Sequence, residues 1–375
     1  YLSDDIPASI IDRYADSILL NIAYHFDGSD PLRSVMISEY YYTDYKNENN
    51  NLLDSVRDGL TPNKEYLRYW HGSAALVRAA HCLTDIRGMY IFGAAALVIL
   101  NALLLFVLIK QKLYAGAVGT VCALAAAGIW YVPFSLEYTW IFLIAPVISL
   151  ISVRLSINGR KDMLGLLFMI AGIITNYFDF LTAETLTLTL PLLLALYTLR
   201  AKAAVGAKPE ALTALRLCCA WAAGYAGMWV LKWLLAAAVL GEDVMPYVLS
   251  HISARTVGEL AYGEADILSA FVRNFGCLFP FGYTGVGIFA GIVLILAVVY
   301  VCYVYHRDGI KVSDILIYAV IGAVPLLRYA VMLSHSYLHY FFTYRAQAAG
   351  VLAVCLIISE ITGFGRKKQE RRKRR

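Results

Sequence analysis

The apolar runs of this 375-residue chain constrain its fold more than any other feature of the sequence. Several runs are about 20 residues long, which is the length of helix that crosses a ~30 Å hydrocarbon core. Hydrophobic residues occupy 60% of the positions and charged residues only 16%, whereas soluble domains usually carry about 25% charged residues. The sequence therefore predicts an all-α integral membrane protein.

Nine apolar segments follow a polar N-terminal region. Residues 1–88 contain 13 Asp or Glu and 8 Lys or Arg, and we expect them to form an extracytoplasmic domain of short helices. The predicted transmembrane bundle covers 89–361, with interfacial helices in the long amphipathic connection 241–283, and a basic tail covers 362–375. The predicted membrane segments are 89–109, 113–131, 138–153, 162–178, 184–199, 214–240, 284–305, 314–333 and 341–361.

The distribution of positive charge orients this bundle. If the C-terminus lies in the cytoplasm, the loops and tail on that side hold 19 Lys or Arg, whereas the short loops on the other side hold only Arg255 and Arg273. Cytoplasmic loops of membrane proteins are enriched in Lys and Arg. We therefore expect a multi-pass protein of the bacterial plasma membrane with an external N-terminal domain. A further helix upstream of Tyr1 fits this orientation and brings the expected number to ten or more.

Acidic side chains on the predicted external face are the first candidates for chemistry. Asp12 and Asp16 lie one turn apart in 10–23, where apolar residues recur at helical spacing. Such a pair can supply a general base or hold a divalent metal ion, or it can be a solvated helix face. Asp179 and Glu184 close a very short hairpin, where an acid can also cap a helix.

Cationic side chains in apolar surroundings are the second group of candidates. Lys232 lies between Trp229 and Trp233, and a lysine inside a membrane helix costs about 2.5–3.5 kcal/mol on insertion scales. We therefore expect it to face a cavity, a carboxylate or a phosphate, unless it snorkels to the interface. Arg68 and His71 stand in an aromatic segment before the first apolar run, which suits either an interfacial belt or a site at headgroup depth.

His335, His339 and Arg345 form a third group close to the last apolar segment. Two histidines one turn apart can bind one metal ion, but no carboxylate or thiol lies nearby in the sequence. Binding of an anionic headgroup is therefore favoured, and Arg255 could join it. No Walker loop, dinucleotide fingerprint, HExxH, GxSxG or CxxC motif occurs. Nothing in the sequence points to a nucleic-acid partner, to ATP hydrolysis or to a redox cofactor.

Four segments resemble a family of bacterial polytopic membrane proteins whose build is similar to that of the GT-C class of membrane glycosyltransferases. They are 11–23, 68–72, 224–233 and 335–345. The resemblance also includes the large acidic first external loop and the cationic residues at the outer interface. It implies a cell-envelope enzyme that moves a sugar from a polyprenyl-phosphate donor to an extracytoplasmic acceptor, with membrane lipids and the lipid-linked donor as its partners.

The resemblance also implies roles for individual residues. A carboxylate of the first external loop is expected to act as the base, with Asp12 as the best match and Asp16 or the pair Asp4 and Asp5 as rivals. Cationic side chains are expected to bind the donor phosphate, because the departing phosphate needs positive charge. The residues expected to bind the substrate are Lys232, Arg255, Arg345, His335, His339, His71 and Asp179.

Two other functions remain open from the sequence. A transporter or flippase of lipid-linked or anionic glycans would line its pathway with Lys232 and Arg328, although the sequence shows no convincing internal repeat. A non-catalytic subunit of an envelope-assembly complex is the third alternative. An external cavity where Asp12 and Lys232 converge favours the transferase, whereas a cavity that opens to both sides favours transport.

Overall fold

The computed structural model describes residues 9–11, 13–203, 207–256, 259–260, 263–278 and 284–364. This part of the chain is all-helical apart from one hairpin of two-residue strands. Six of its helices are long and apolar enough to cross a membrane, which confirms the predicted class of protein, while the number of nine spans stays a prediction. The six are Ile86–Lys110, Leu136–Ile157, Pro209–Leu240, Gly287–Val304, Val312–Val331 and Tyr340–Thr362.

The N-terminal region folds into four short helices. They are α1 (Arg13–Tyr24), α2 (Pro31–Ile37), α3 (Glu48–Asp58) and α4 (Gly72–His81). Helix α1 corresponds to the helix predicted over 10–23, and it buries Ile18, Leu19 and Ile22 against α4 and against the first turns of the helices that follow. The side chain of Asn47 accepts the backbone N–H of Asn50 and so caps the start of α3.

Each of the nine apolar segments coincides with a helix or a group of helices. The helices and strands after residue 85 are α5 (Ile86–Lys110), α6 (Tyr114–Ala126), α7 (Leu136–Ile157), α8 (Asp162–Phe178), α9 (Leu186–Ala203), α10 (Ala207–Leu240), α11 (Met245–Thr256), β1 (Glu259–Leu260), β2 (Gly263–Glu264), α12 (Ile267–Cys277), α13 (Thr284–Val304), α14 (Val312–Gly322), α15 (Val324–Val331), α16 (Leu333–Leu338), α17 (Tyr340–Thr343) and α18 (Ala348–Thr362). Short 3₁₀ turns cover Val132–Phe134 and Tyr344–Gln347. The connection 241–283 contains two helices, as the sequence predicts.

Proline affects two of these helices differently. Helix α7 continues through Pro146 and is therefore longer than the predicted segment 138–153. The segment predicted over 314–333 is divided at Ala323 into α14 and α15, and Pro325 occupies the first turn of α15. A first-turn position suits proline because the N–H that it lacks has no helical acceptor there.

Helix α9 forms the centre of the bundle, and its side chains from Leu192 to Leu196 are almost completely buried. The close contact between helices α8 and α10 depends on two glycines. A Cβ atom on Gly172 would lie 2.1 Å from the carbonyl oxygen of Trp221, and one on Gly224 would lie 2.1 Å from that of Met169. The two backbones therefore touch, as they do where small residues line membrane helix interfaces.

Two buried ion-pair clusters lie at opposite ends of α9, whose 18 residues span about 27 Å. Just before its first turn, Glu184 pairs with Arg328. In its last turn, Arg200 pairs with Glu210 and lies 3.4 Å from Glu360. The interior of the bundle thus separates two ends that each contain buried charges.

We predict that Gly224→Leu strongly destabilises the protein, because its side chain meets the backbone of α8. Gly227→Leu is the matched control, since an added Cβ at Gly227 has no neighbour within 4 Å. Overpacking costs about 1–3 kcal/mol, so we expect a clearly lower melting temperature for the first variant only. Thermal unfolding in detergent micelles measures both, and equal melting temperatures would contradict the glycine contact.

Candidate functional site

A cavity of about 400 Å³ lies between α10 and α11. Tyr225, Trp229 and Trp233 line it from α10, and their spacing of four residues places them on one face of that helix. Tyr69 closes another side, with its ring 5.4 Å from that of Trp229. The remaining lining residues are Arg68, Leu181, Ala226, Val230, Val248, His251, Ile252, Arg255, Thr256 and Met332. The cavity is therefore largely apolar and aromatic, with three cationic or imidazole side chains.

Arg68, Arg255 and His251 form the polar part of this cavity. Nη1 of Arg68 lies 3.0 Å from Nδ1 of His251, and Nη1 of Arg255 donates to the backbone oxygen of His251 at 3.1 Å. Since a guanidinium can only donate, Nδ1 of His251 is the acceptor and a neutral ring carries its proton on Nε2. Burial, with the charges of Arg68 and Arg255, lowers the pKa of His251 to about 4. The imidazole is thus neutral at pH 7.

Neither arginine of the cavity has an acidic partner among the residues that the structure describes. No ion pair joins Arg68 or Arg255 to a carboxylate, and no Asp or Glu lines the cavity. The Nε atoms of both arginines are buried and have no hydrogen-bond partner. Two guanidinium groups that each keep a donor without an acceptor, in apolar surroundings, are suited to binding an anion.

His335 and His339 lie next to this group, since α16 packs against α11 and Met332, one turn before His335, lines the cavity. Their ring centroids are 4.7 Å apart. Burial, with the neighbouring His339 ring and the charge of Arg328, lowers the pKa of His335 well below its usual value. Burial and Arg255 lower the pKa of His339 to about 4. Both rings are therefore neutral, and their predicted contact with a phosphate would be through hydrogen bonds and not through charge.

Lys232 has a different surrounding from the one that the sequence suggested. Its side chain is fully buried, and Nζ donates to the carbonyl oxygens of Val35 at 2.8 Å and Met36 at 2.9 Å. Nζ also lies 5.6 Å from the centroid of the Trp70 ring. These carbonyls belong to the last turn of α2, where no helical N–H reaches them. Lys232 thus caps α2 and attaches the N-terminal region to α10, and it is not among the residues that line the cavity.

Asp16 is buried and its carboxylate is bound to the start of α7. It accepts the backbone N–H groups of Leu136 at 2.8 Å and Glu137 at 3.2 Å and the hydroxyl of Tyr90 at 2.7 Å. A carboxylate at a helix N-terminus is favoured by the free N–H groups and by the helix dipole. In this geometry Asp16 has a structural role, because it connects α1 with the start of α7. Asp12, the other member of the predicted pair, lies outside the described residues, as do Asp4 and Asp5.

The hairpin between α8 and α9 forms one wall of the cavity. Nε of Arg328 donates to Glu184 at 2.7 Å, and another nitrogen of Arg328 donates to the carbonyl of Leu181. Leu181 has a left-handed backbone, with φ of 67°, and its side chain lines the cavity. Asp179 accepts the N–H and the hydroxyl of Thr182. Burial and the neighbouring Glu184 raise the pKa of Asp179 above its usual range.

His71 stands behind the cavity, at the start of α4. Its Nε2–H donates to the carbonyl of Tyr66 at 3.1 Å, whereas its Nδ1 has no hydrogen-bond partner. Its backbone is left-handed, with φ of 52°. Burial, with the charge of Lys232, lowers the pKa of His71 to about 3. His71 contacts Phe180 of the hairpin and supports the cavity wall without lining it.

Arg345 lies in the interior and is not among the residues that line the cavity. It is 1% exposed, and its guanidinium lies 4.5 Å from the ring of Tyr138. The backbone oxygen of Phe341 accepts its Nη1–H at 3.1 Å. The structure thus brings Arg255, His335 and His339 of the predicted site together, and places Lys232, Asp16 and Arg345 elsewhere.

Sequence reasoning gave no role to His251 and did not connect it with Arg68. The interaction joins residues 183 positions apart, and no local sequence pattern predicts such a contact. The aromatic repeat of Tyr225, Trp229 and Trp233 was the available signal, because a stripe of aromatic rings on one helix face marks a surface with a specific neighbour.

The metal prediction has no support in the described residues, where no group of three or more His, Cys, Asp or Glu side chains could hold an ion. That statement does not extend to Asp12 or to the pair Asp4 and Asp5. A divalent metal therefore stays a possibility raised by the sequence alone.

No family model matches this chain, and no curated protein and no solved structure matches it either. What the protein does has to be inferred from its own side chains.

We predict that acidification destabilises the protein partly through His71. Its folded pKa of about 3 lies below the 6.5 of an unfolded chain, so only the unfolded state takes up a proton between these values. The free energy of unfolding should fall by about 1 kcal/mol per pH unit below pH 6 on account of this group. His71→Asn, which tolerates the left-handed backbone, should flatten that slope.

The control for this experiment is His81→Asn, since His81 is exposed at the end of α4. Denaturant unfolding in detergent between pH 7.5 and 4.5 measures the slope for the wild type and both variants. A slope that is the same in the wild type and in His71→Asn would contradict the buried neutral imidazole.

Proposed function

We propose that this chain is a GT-C-like membrane glycosyltransferase that moves a sugar from a polyprenyl-phosphate donor to an extracytoplasmic acceptor. One observation carries the proposal. Arg68 and Arg255 face an apolar, aromatic cavity of about 400 Å³ without a carboxylate partner among the described residues. A ligand that has one anionic group on an apolar chain matches both the arginines and the aromatic side of that cavity.

The two arginines supply the phosphate-binding part. Guanidinium groups bind phosphate oxygens through two parallel N–H donors, and these bonds are about twice as strong as neutral ones. In the structure, Nε of each arginine is buried and unpartnered, so a phosphate there satisfies two donors that otherwise lack an acceptor. The Nε2–H that we assign to His251 provides a further donor in the same cavity.

The aromatic side of the cavity supplies the part that holds the lipid chain. Tyr225, Trp229 and Trp233 stand on α10, whose stretch Pro209–Leu240 is long and apolar enough to cross a membrane. Burying an apolar chain on such a surface stabilises the complex by about 25 cal/mol per Å². Val230, which lines the cavity, is half exposed on the surface of the helix, and this arrangement supports entry from the lipid phase.

The chemistry of transfer follows from this placement. The acceptor oxygen forms a bond to the anomeric carbon while the bond from that carbon to the phosphate oxygen breaks. The electron pair stays on the phosphate, where Arg68 and Arg255 stabilise the growing charge. The hydroxyl proton passes to a carboxylate of the acidic N-terminal region, and Asp12 remains the residue that the resemblance implies for this step.

The predicted orientation agrees with an extracytoplasmic reaction. Arg255 is one of only two basic residues in the short loops of the predicted external face. Arg328 and Glu184, beside the cavity wall, stand at one end of α9, whereas Arg200 and Glu360 stand at the other. The proposed donor site is therefore at the end of the bundle that the loop charges predict to be outside.

We predict that Arg68→Gln and Arg255→Gln each lower kcat/KM by about 10- to 100-fold, because each removes a hydrogen bond to a charged group that contributes about 1.5–3 kcal/mol. The assay uses purified protein with a panel of polyprenyl-phosphate sugars and envelope glycans as acceptors. Arg273→Gln is the matched control, since its guanidinium lies 3.9 Å from the Tyr337 ring and is outside the cavity.

The outcomes of this assay separate the candidate functions. Transfer that survives both cavity variants unchanged, or falls equally in Arg273→Gln, would falsify the assignment of the phosphate site. Tight binding of polyprenyl phosphates without transfer to any acceptor would favour the transporter or flippase instead.

A further inference from the structure

One residue that lines the cavity, His251, contacts both of the cavity arginines. Its Nδ1 accepts from Nη1 of Arg68 at 3.0 Å, and its backbone oxygen accepts from Nη1 of Arg255 at 3.1 Å. Arg68 belongs to the segment before α4, whereas Arg255 lies one turn after His251 on α11. Two guanidinium groups from distant parts of the chain are therefore held against the same residue.

Aromatic rings support both partners of the side-chain contact. The ring of Tyr247, one turn earlier on α11, lies 4.4 Å from the imidazole of His251, with an interplanar angle of 62°. The guanidinium of Arg68 lies 4.1 Å from the ring of Tyr66 and 5.4 Å from that of Tyr69. These contacts restrict the rotamers of both side chains. Fixing a long arginine side chain before the ligand arrives lowers the entropy that binding costs.

The acceptor that His251 offers to Arg68 carries no charge, because the imidazole is neutral at pH 7. The buried Arg328, in contrast, is held by the carboxylate of Glu184. A carboxylate in the place of His251 would bind Arg68 more strongly but would also neutralise it. A neutral acceptor orients the guanidinium and leaves its full positive charge for a ligand.

The two arginines repel each other as long as no anion lies between them. The hydrogen bonds to His251 oppose this repulsion, since releasing either guanidinium loses a bond to a charged group. Both bonds use an Nη1 atom, and the Nε atom of each arginine has no hydrogen-bond partner. Each guanidinium is thus fixed by one donor and keeps another for a phosphate oxygen.

We infer that His251 is the positioning residue of the phosphate site, which holds Arg68 and Arg255 through neutral acceptors so that both keep their charge for one anionic group. His251 acts through the two arginines and moves no proton in the reaction. The assignment of the anionic group as the phosphate of a lipid-linked donor rests on the proposed function.

Three substitutions at His251 test this role through the Kd of the purified protein for a polyprenyl monophosphate, measured by calorimetry in detergent. His251→Asn keeps a neutral acceptor at the position of Nδ1 and loses the Nε2–H, and we expect its affinity to stay close to that of the wild type. His251→Leu removes the side-chain acceptor and should weaken binding about tenfold or more. His251→Asp keeps an acceptor but neutralises Arg68, and it should weaken binding at least as much as His251→Leu.

Thermal unfolding of the same variants separates positioning from a purely structural role. The carboxylate of His251→Asp pairs with Arg68, so we expect a melting temperature at least as high as that of His251→Leu, together with the weakest binding. If His251 were only structural, the affinity would follow the melting temperature. His306 is the matched control, since it is exposed and its Nδ1 lies 2.8 Å from the backbone oxygen of Tyr303. His306→Leu and His306→Asp should leave the Kd unchanged.

The binding measurement needs no catalysis, so the two proposals can fail separately. Affinities that fall from His251→Asn to His251→Leu and His251→Asp, without transfer to any acceptor, support the positioning role while the transferase fails. Where transfer is seen, the same order is expected in the KM for the donor, with kcat changed little. Transfer or tight binding that is unchanged in His251→Leu and His251→Asp would overturn the inference and leave the proposed function standing. A His251→Asn variant as weak as His251→Leu would also overturn it, because the Nε2–H would then be the group that matters.

The tautomer of His251 gives an independent check that requires no ligand. The nitrogen chemical shifts of isotope-labelled histidine distinguish the two neutral tautomers from the cation, and the signal that is missing in His251→Asn belongs to His251. We expect a neutral ring with its proton on Nε2 at pH 7. A cationic ring, or a proton on Nδ1, would contradict the contact with Arg68 and overturn the inference.

Discussion

The cost of burying a charge among apolar helices governs how this protein is built. Arg328 is held by Glu184, and Arg200 by Glu210, at the two ends of α9. Lys232 is satisfied by the carbonyl groups at the end of α2. The partners of Arg328 and Lys232 lie 144 and 196 positions away along the chain, so these matched charges also join distant elements to each other.

The two arginines of the cavity differ from these matched charges. Among the residues that the structure describes, Arg68 and Arg255 face the cavity without a carboxylate, and the Nε atom of each has no hydrogen-bond partner. A phosphate would supply the acceptors that these groups lack. The charges at the two ends of α9 and on Lys232 have partners within the described residues, whereas the proposed ligand would be the partner of Arg68 and Arg255.

The sequence predicted the helices well because apolar runs and their lengths are local properties. The nine segments agree with the helices. Helix α7 is longer than the predicted segment, because a proline can stay inside a long membrane helix when neighbouring groups satisfy the backbone carbonyl that loses its N–H donor. The orientation that the loop charges indicate stays a prediction. The upstream helix and the basic tail remain predictions that the described residues do not reach.

The candidate site could be predicted only in part. Arg255, His335 and His339 were placed together because all three belong to the predicted external face. The partners of Lys232 and Asp16 could not be found from the sequence, since they lie 196 and 120 residues away. The helical spacing predicted which face of α1 carries Asp16, but not that this face contacts the start of α7.

The central claim is that the cavity binds a phosphate attached to an apolar chain. The most direct measurement is the structure, by electron cryomicroscopy, of the protein with an added polyprenyl phosphate. We expect the phosphate density between Arg68 and Arg255 and the lipid chain along Tyr225 and Trp229. An empty cavity at a saturating concentration, or phosphate density at a different cationic group, would contradict the account.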